Sequence, residues 1–360
     1  MDCAKRRRQA VDSRRLCASR FRWWRSSAVL SGLLACSVSI AWAQGPASQP
    51  PLPAPGHLVD VGGWRLHLHC TGEAQPGQPT VVLEAGLGDF SVEWSLVQPP
   101  VAAFARVCSY DRAGDGWSEL GPHPRTLRQI TYELHVLLER SGERPPYVLV
   151  GHSYGGWLVR QYQLSYPAEV AGLVLVDPGA TDPQRLMPDG RTVRSSELVR
   201  GRQIPAVKES GPLRINDIPP AALQQMTAGL EQASANANAP PRDRLPEAAR
   251  RMRTWALGQI GHVAAAVNPF EAEELASLRM SAAGRPFPLD DLPIVVISRG
   301  IPDAEDVAGL AEQEERVQDH ASVAAMSRSG RHMIAEESGH HVQLEQPELV
   351  VRAIREVVVR

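Results

Sequence analysis

Gly151-His152-Ser153-Tyr154-Gly155 is the stretch on which the reading of this chain turns. It fits the pattern Gly-x-Ser-x-Gly. The run before it, Tyr147-Val148-Leu149-Val150, is apolar and rich in β-branched residues, the pattern of a buried strand. The run after it, Gly156 to Leu164, reads as a helix that ends before Pro167. Strand, tight turn and helix form the setting in which such a serine is pushed out at the top of a sheet, with small residues needed on either side. A Gly-rich surface turn is the plain alternative for the pentapeptide alone; the flanks argue against it.

Working outward, the chain alternates strand and helix. His57-Leu58-Val59-Asp60-Val61 and Trp64 to Cys70 are alternating runs around Gly62-Gly63, a β-hairpin pattern. His67 and His69 sit two apart on the second run and are expected on a solvated face, since no carboxylate cluster accompanies them. Thr80-Val81-Val82-Leu83-Glu84 is a strand that runs into the Gly-rich loop Ala85-Gly86-Leu87-Gly88-Asp89. No Lys-Ser/Thr follows, so the loop is not a P-loop. Trp94 to Ala105 looks helical with an interruption at Pro99-Pro100. Arg106 to Tyr110 is a strand, and Thr126 to Ser141 an amphipathic helix with Leu127, Ile130, Leu134, Leu137 and Leu138 on one face. Leu173 to Val176 is another buried strand, ending in Asp177-Pro178.

The rhythm then breaks. Residues 179–291 hold no clear strand and several short helical pieces, notably Pro246 to Ile260 and Phe270 to Met280, which together read as an inserted helical lid. It resumes with the strand Leu292 to Ser298, a helix from about Val307 to Ala325, the strand Arg331 to Ala335 and a last helix from Pro347 to Val359. Alternation of this kind implies a mainly parallel sheet with helices on both faces, the α/β class. The core is thus expected in two parts, 57–178 and 292–360.

Composition bounds the function. Hydrophobic content of 43% and charged content of 22% over 360 residues suit a globular chain with a sizeable core. Residues 1–43 carry nine Lys/Arg and two Asp/Glu, leaving 29 Lys/Arg against 38 Asp/Glu for the rest. So acidic a body argues against a nucleic-acid or anionic-membrane surface. The Arg-rich start, the apolar run Ala28 to Ile40 and Ala41-Trp42-Ala43 read as a signal peptide cleaved after Ala43, and hence as export. An uncleaved anchor and a lipid on Cys36 are alternatives; the apolar run is short for a stable membrane span. Residues 44–56, rich in Pro, Ala and Ser, read as a linker with no core to join. Cys70 and Cys108 remain after cleavage, either as a disulfide or as two separate thiols.

Leu83-Glu84-Ala85-Gly86-Leu87-Gly88, Tyr110-Asp111-Arg112-Ala113-Gly114, the serine turn, Leu173 to Pro178 and Ser338-Gly339-His340 stand in a fixed order. Together they resemble the α/β-hydrolase family, from about residue 57 to residue 360 and least over the lid. The resemblance implies a serine hydrolase with a Ser-Asp-His triad: Ser153 as nucleophile and His340, rather than His341, as base. For the acid it implies Asp303, which follows Gly300-Ile301-Pro302 after a strand, with Asp177 as the alternative. His152 is expected to pack and hydrogen-bond rather than to act as a second base. The oxyanion hole would be the backbone N–H groups of Leu87 and Tyr154, with Ala85 where the family more often has His. The resemblance also sets the strands of Cys70 and Cys108 side by side, which favours a disulfide between them.

A serine needs a base within hydrogen-bond reach, and the base needs an orienting acid. The implied reaction is cleavage of an ester or related acyl bond in a small molecule through an acyl-enzyme. No cofactor and no metal are implied. Peptidase, thioesterase, C–C hydrolase and perhydrolase chemistry use the same triad, and a ligand-sensing protein with little turnover is a different class of reading.

Overall fold

Gly62 and Gly63 turn the chain at φ 125° and 109°, and the runs on either side pair antiparallel as β1 (His57–Asp60) and β2 (Arg65–Thr71). The structure, a computed structural model, describes residues 52–264 and 268–359. The remaining strands are β3 (Thr80–Glu84), β4 (Val107–Tyr110), β5 (Tyr147–His152), β6 (Val170–Val176), β7 (Gln184–Leu186), β8 (Thr192–Arg194), β9 (Ile294–Arg299) and β10 (Gly330–Ala335). Eight of them form one sheet in the order β1-β2-β4-β3-β5-β6-β9-β10, antiparallel at β1-β2-β4 and parallel from β4 onward. The expected α/β architecture is the one observed.

Strand residues alternate between two cores. Val148 and Val150 face one, with α1 (Gln98–Ala102) and α11 (Pro347–Val358); Leu149 faces the other, with α2 (Leu127–Ser141), α3 (Tyr154–Ser165) and the end of α9 (Val307–Ala324). Being buried on both sides is why the central strands are continuous apolar runs rather than alternating ones. α2 starts at the Thr126 cap, whose side chain accepts from Gln129 N, and stops at Gly142 in the left-handed region. All five apolar residues expected on its inner face are buried. A short helix, α10 (Val342–Glu345), precedes α11.

Several local expectations are corrected. Pro99 and Pro100 open α1 instead of interrupting a longer helix, because proline is tolerated where the first-turn N–H is free anyway. His67 is fully buried, not solvated: the loop carrying Trp117 covers that face, and Asp111 Oδ2 lies 2.9 Å from His67 Nδ1. His69 is half-buried, and burial holds its imidazole below the ordinary value.

Residues 179–291 contain α4 (Pro220–Ala228), α5 (Leu230–Ala235), α6 (Glu247–Leu257), α7 (Ile260–Ala264) and α8 (Glu271–Ala282). They also contain strands, contrary to expectation: β7 and β8 pair antiparallel around a turn at Gly190. Each is three residues long with a single apolar residue, Leu186 or Val193, so neither is long enough to show the alternation that marks a strand.

The signal-peptide expectation, residues 1–43, lies outside the described residues. The linker's end is not free of the core: Leu52 O accepts from Trp117 Nε1 at 2.7 Å. No helix among the described residues is long and apolar enough to cross a membrane. Cys70 and Cys108 are opposite one another on β2 and β4 and form a disulfide.

Candidate active site

The serine turn is held by three constraints. Ser153 has φ 52° and ψ −118°, a sparsely populated conformation that costs on the order of 1–3 kcal/mol and so needs support from its surroundings. Ser153 N donates to Val176 O at 3.1 Å, and Ser153 O accepts from Gly156 N at 2.9 Å and Gly179 N at 3.0 Å. A Cβ at Gly151 would come within 2.4 Å of Gly155 O, and one at Gly155 within 2.5 Å of Glu84 O. The glycines are there because the chain passes itself too closely for any side chain.

Parallel register brings the next group in. His152 pairs with Val176, so Asp177 follows directly beside Ser153; Val176 in turn pairs with Ile297 of β9. Asp177 is also turned into a positive φ, 39°, and its N–H donates to Ile297 O at 2.7 Å. On the far side, Ala335 of β10 pairs with Arg299, and Gly300 N and Ile301 N both donate to Ser338 O. That lacing presents His340 to the same point.

Three side chains meet there. His340 Nε2 lies 3.0 Å from Ser153 Oγ, and His340 Nδ1 lies 2.6 Å from Asp177 Oδ2. Asp177 has no exposed side-chain surface, whereas the His340 side chain is 32% exposed, toward a cavity. Burial alone would raise the Asp177 carboxyl. The hydrogen bond from His340 and the charge of Arg299 outweigh it and hold the group well below the ordinary carboxylate range.

The favoured acid, Asp303, is elsewhere. Its side chain is 63% exposed and pairs with Arg299 Nη1 at 2.5 Å and Arg316 Nη2 at 3.6 Å. The reason is Arg299, the last residue of β9, whose buried guanidinium contacts Asp303 with one nitrogen and His340 with another. The residue beside the imidazole is therefore the alternative, Asp177.

The His341 ring lies 5.2 Å from that of His340, beside Asp89 and His152 rather than at Ser153. Its carbonyl accepts from Leu344 N and Glu345 N at the start of α10, and burial followed by the charge of Arg242 pushes its imidazole down to about 3. His152 donates Nε2–H to His340 O at 2.9 Å and is driven well below its ordinary value by burial. Its proton assignment follows from that carbonyl partner.

The loop with Leu87 is braced from below. Buried Arg112 donates to Ala85 O at 2.8 Å, Gly86 O at 2.5 Å and Asp89 O at 3.0 Å. It also pairs with Glu84 Oε1 at 2.7 Å, and Tyr110 OH donates to the other Glu84 oxygen. Burial would lower the Arg112 pKa, but the charges of Asp115 and Glu84 outweigh it, so Arg112 stays cationic. Leu87 itself is 57% exposed and lines the cavity with Ser153 and Tyr154. Tyr154 is the first residue of α3, so its N–H has no partner within the helix.

The cavity has a volume of about 420 Å³. Trp157, Pro178 and Leu87 give it apolar wall, and the ion pairs Arg185–Glu271 and Arg194–Glu315 cross its margin. Residues 179–291 are tied to the sheet-bearing part of the chain at other points. Arg242 and Arg253 pair with Asp89 at 3.1 Å and 3.0 Å, and Glu274 accepts from Leu127 N and Arg128 N at the start of α2.

Asp89, His152 and His341 gather their donor atoms within 4.8 Å of one another. Two guanidiniums already neutralise Asp89, so the group suits ion pairing better than it suits a metal cation. Sequence reasoning gave Arg299, Arg112 and Glu84 no role. A charged residue at the C-terminal end of a buried strand was the available signal, since such a charge must find a partner.

The alpha/beta hydrolase family model matches residues 81–353. An AB hydrolase superfamily protein of Gibberella zeae is 24% identical over 301 residues, 79% of this chain and 87% of that protein. Relatives above 30% identity match shorter stretches, such that the chain spans 18% to 41% of the length of three of them. Among solved structures, a thermophilic esterase from Thermogutta terrifontis superposes with a TM-score of 0.51 at 19% identity, over 81% of this chain and 92% of that one. The epoxide hydrolase CorEH superposes with a TM-score of 0.55 at 19% identity, over 84% and 98%.

Proposed function

Because the chain belongs to the alpha/beta hydrolase family, we propose that it hydrolyses an ester or related acyl bond in a small molecule through an acyl-enzyme. Ser153 Oγ attacks the carbonyl carbon. His340 Nε2 takes the hydroxyl proton and returns it to the leaving group. Asp177 holds His340 in the tautomer with the proton on Nδ1 and stabilises the imidazolium that forms. The N–H groups of Leu87 and Tyr154 receive the tetrahedral oxyanion, an interaction worth on the order of 10²–10³ in kcat for each donor. A water activated by His340 then releases the acid.

The observation that carries this reading is the pair of contacts on one imidazole, 3.0 Å to Ser153 Oγ and 2.6 Å to Asp177 Oδ2, made by residues far apart in sequence. A serine at the nucleophile position distinguishes the site from family chemistry that opens epoxides or displaces halide with a carboxylate. The cavity supports a short, polar substrate. Its volume is modest, and ion pairs rather than a continuous apolar wall border it, so a long alkyl chain would desolvate charges without replacing their partners. Export is part of the proposal. It rests on the basic and apolar start of the chain with Ala41-Trp42-Ala43, and on a disulfide of the kind that persists in oxidising compartments.

Steady-state hydrolysis of p-nitrophenyl acetate, butyrate and laurate by the mature protein tests the reading. Turnover should favour the short esters and vanish in Ser153→Ala. A fluorophosphonate should label Ser153 and no other serine. Labelling without turnover on any acyl substrate would replace the enzyme with a ligand sensor.

A further inference from the structure

We propose that Arg299 is a positioning residue for the triad, and that it is the reason the productive acid stands at the end of β6. The inference rests on the triad reading above. Arg299 is placed where β9 ends, and its side chain is 6% exposed beside a fully buried Asp177. Its backbone N–H donates to Asp177 Oδ1 at 3.0 Å and its Nε–H to Asp177 Oδ2 at 2.7 Å. Both carboxylate oxygens are thus fixed by one residue, and Oδ2 is aimed at His340 Nδ1. The backbone donor to Oδ1 is open to any residue, but only a planar guanidinium reaches Oδ2 with Nε and His340 with Nη2 at once, because its donors are held in a rigid fork.

The same residue touches the imidazole. Arg299 Nη2 lies 2.7 Å from His340 Nδ1, the atom that Asp177 Oδ2 approaches at 2.6 Å. Nδ1 has one in-plane site. With a proton there it donates to Asp177, and Nε2 is left with the lone pair that removes the Ser153 proton. Without it, Nδ1 accepts from the guanidinium, the proton sits on Nε2 and the base is blocked. Arg299 therefore does two things: it aims the carboxylate, and it sets the alternative against which that carboxylate must hold the tautomer. Asp303 anchors Nη1, and Gln313 Nε2 donates to Arg299 O at 2.6 Å, so the fork has little room to swing.

The experiment compares Arg299→Ala, Arg299→Lys and Arg299→Gln with wild type on p-nitrophenyl acetate. It records kcat and KM separately and follows the far-downfield proton resonance of His340 Nδ1–H. Arg299→Ala should lose about 10²-fold or more in kcat with KM within about threefold, and millimolar guanidinium should restore a measurable part of it. Arg299→Lys should recover less than added guanidinium does, and the downfield resonance should shift or broaden in all three variants.

A kcat within threefold of wild type in Arg299→Ala, with the resonance unchanged, overturns the proposal. So does a loss that follows thermal unfolding and does not respond to guanidinium. Arg299→Gln covers the case in which Arg299→Ala fails to fold, because it keeps a neutral donor for Asp177. If wild type shows no turnover, or if Ser153→Ala retains it, the acyl-transfer reading fails instead, and the resonance still reports on Arg299.

Discussion

Asp177 Oδ2 lies 2.6 Å from His340 Nδ1, although the two residues are 163 positions apart and belong to different strand ends. Asp303, much nearer in sequence, is kept away by the guanidinium of Arg299 and remains 63% exposed. The two carboxylates are therefore unequal in a way that kinetics can read.

Asp177→Asn should lower kcat by about 10³–10⁴, because an amide in that position no longer holds the proton on Nδ1. Asp303→Asn removes an exposed ion pair and should cost less than tenfold. Stopped-flow or steady-state kcat on p-nitrophenyl acetate checks both, and a larger loss in Asp303→Asn than in Asp177→Asn would reassign the acid.

Arg112 carries the next prediction. Three of its hydrogen bonds support the carbonyls of the loop that presents Leu87. Arg112→Lys keeps the charge opposite Glu84 but not the fork, and should lower kcat by about 10–10² with a smaller change in KM. Arg112→Met alone leaves Glu84 buried without its cation and should cost about 3–5 kcal/mol in stability; Glu84→Gln in the same chain should return part of that. Urea denaturation of the single and double variants measures the difference.

Acid should destabilise the native state through buried neutral histidines. His341 is held at about 3, against about 6.5 when unfolded, and burial lowers His152 and His320 as well. The folded form then binds fewer protons than the unfolded form in that window. Their contribution is complete above about pH 6.5 and is lost as pH falls toward 3. Urea midpoints from pH 8 to pH 4 should fall less steeply in His341→Gln than in wild type. Parallel curves would contradict this assignment.

The disulfide closes a loop of 38 residues between β2 and β4. Chain-entropy arguments put its contribution at up to about 4 kcal/mol. Cys70→Ser/Cys108→Ser should lower the thermal midpoint by several degrees while leaving kcat nearly unchanged, since the bridge is not among the residues lining the cavity. Non-reducing peptide mapping of the native protein should recover the linked pair.

What could be read from the residues alone was the local part. The run Tyr147 to Val150, the small residues around Ser153 and the apolar face of α2 each carry their own periodicity, so strand, turn and helix were legible without a partner. The carboxylate that lies beside His340 was not, because which strand end reaches the imidazole depends on sheet order and on a guanidinium from another strand. Burial of His67 depends likewise on a covering loop that starts some 45 residues later. The hairpin β7-β8 was not legible because three residues with one apolar side chain among them have no detectable period.

The bond from Arg299 N–H to Asp177 Oδ1 ties the C-terminal end of β9 to the residue that follows β6. Because β6 and β9 are parallel neighbours, the chain leaves the sheet at one end and must cross to the other before Ile294, so the bond ties two strand ends rather than the two ends of the intervening segment. That tie holds only while β9 keeps its register on β6, Leu173 against Ile294 and Val176 against Ile297, so the placement of the carboxylate is a property of the sheet and not of residues 179–291.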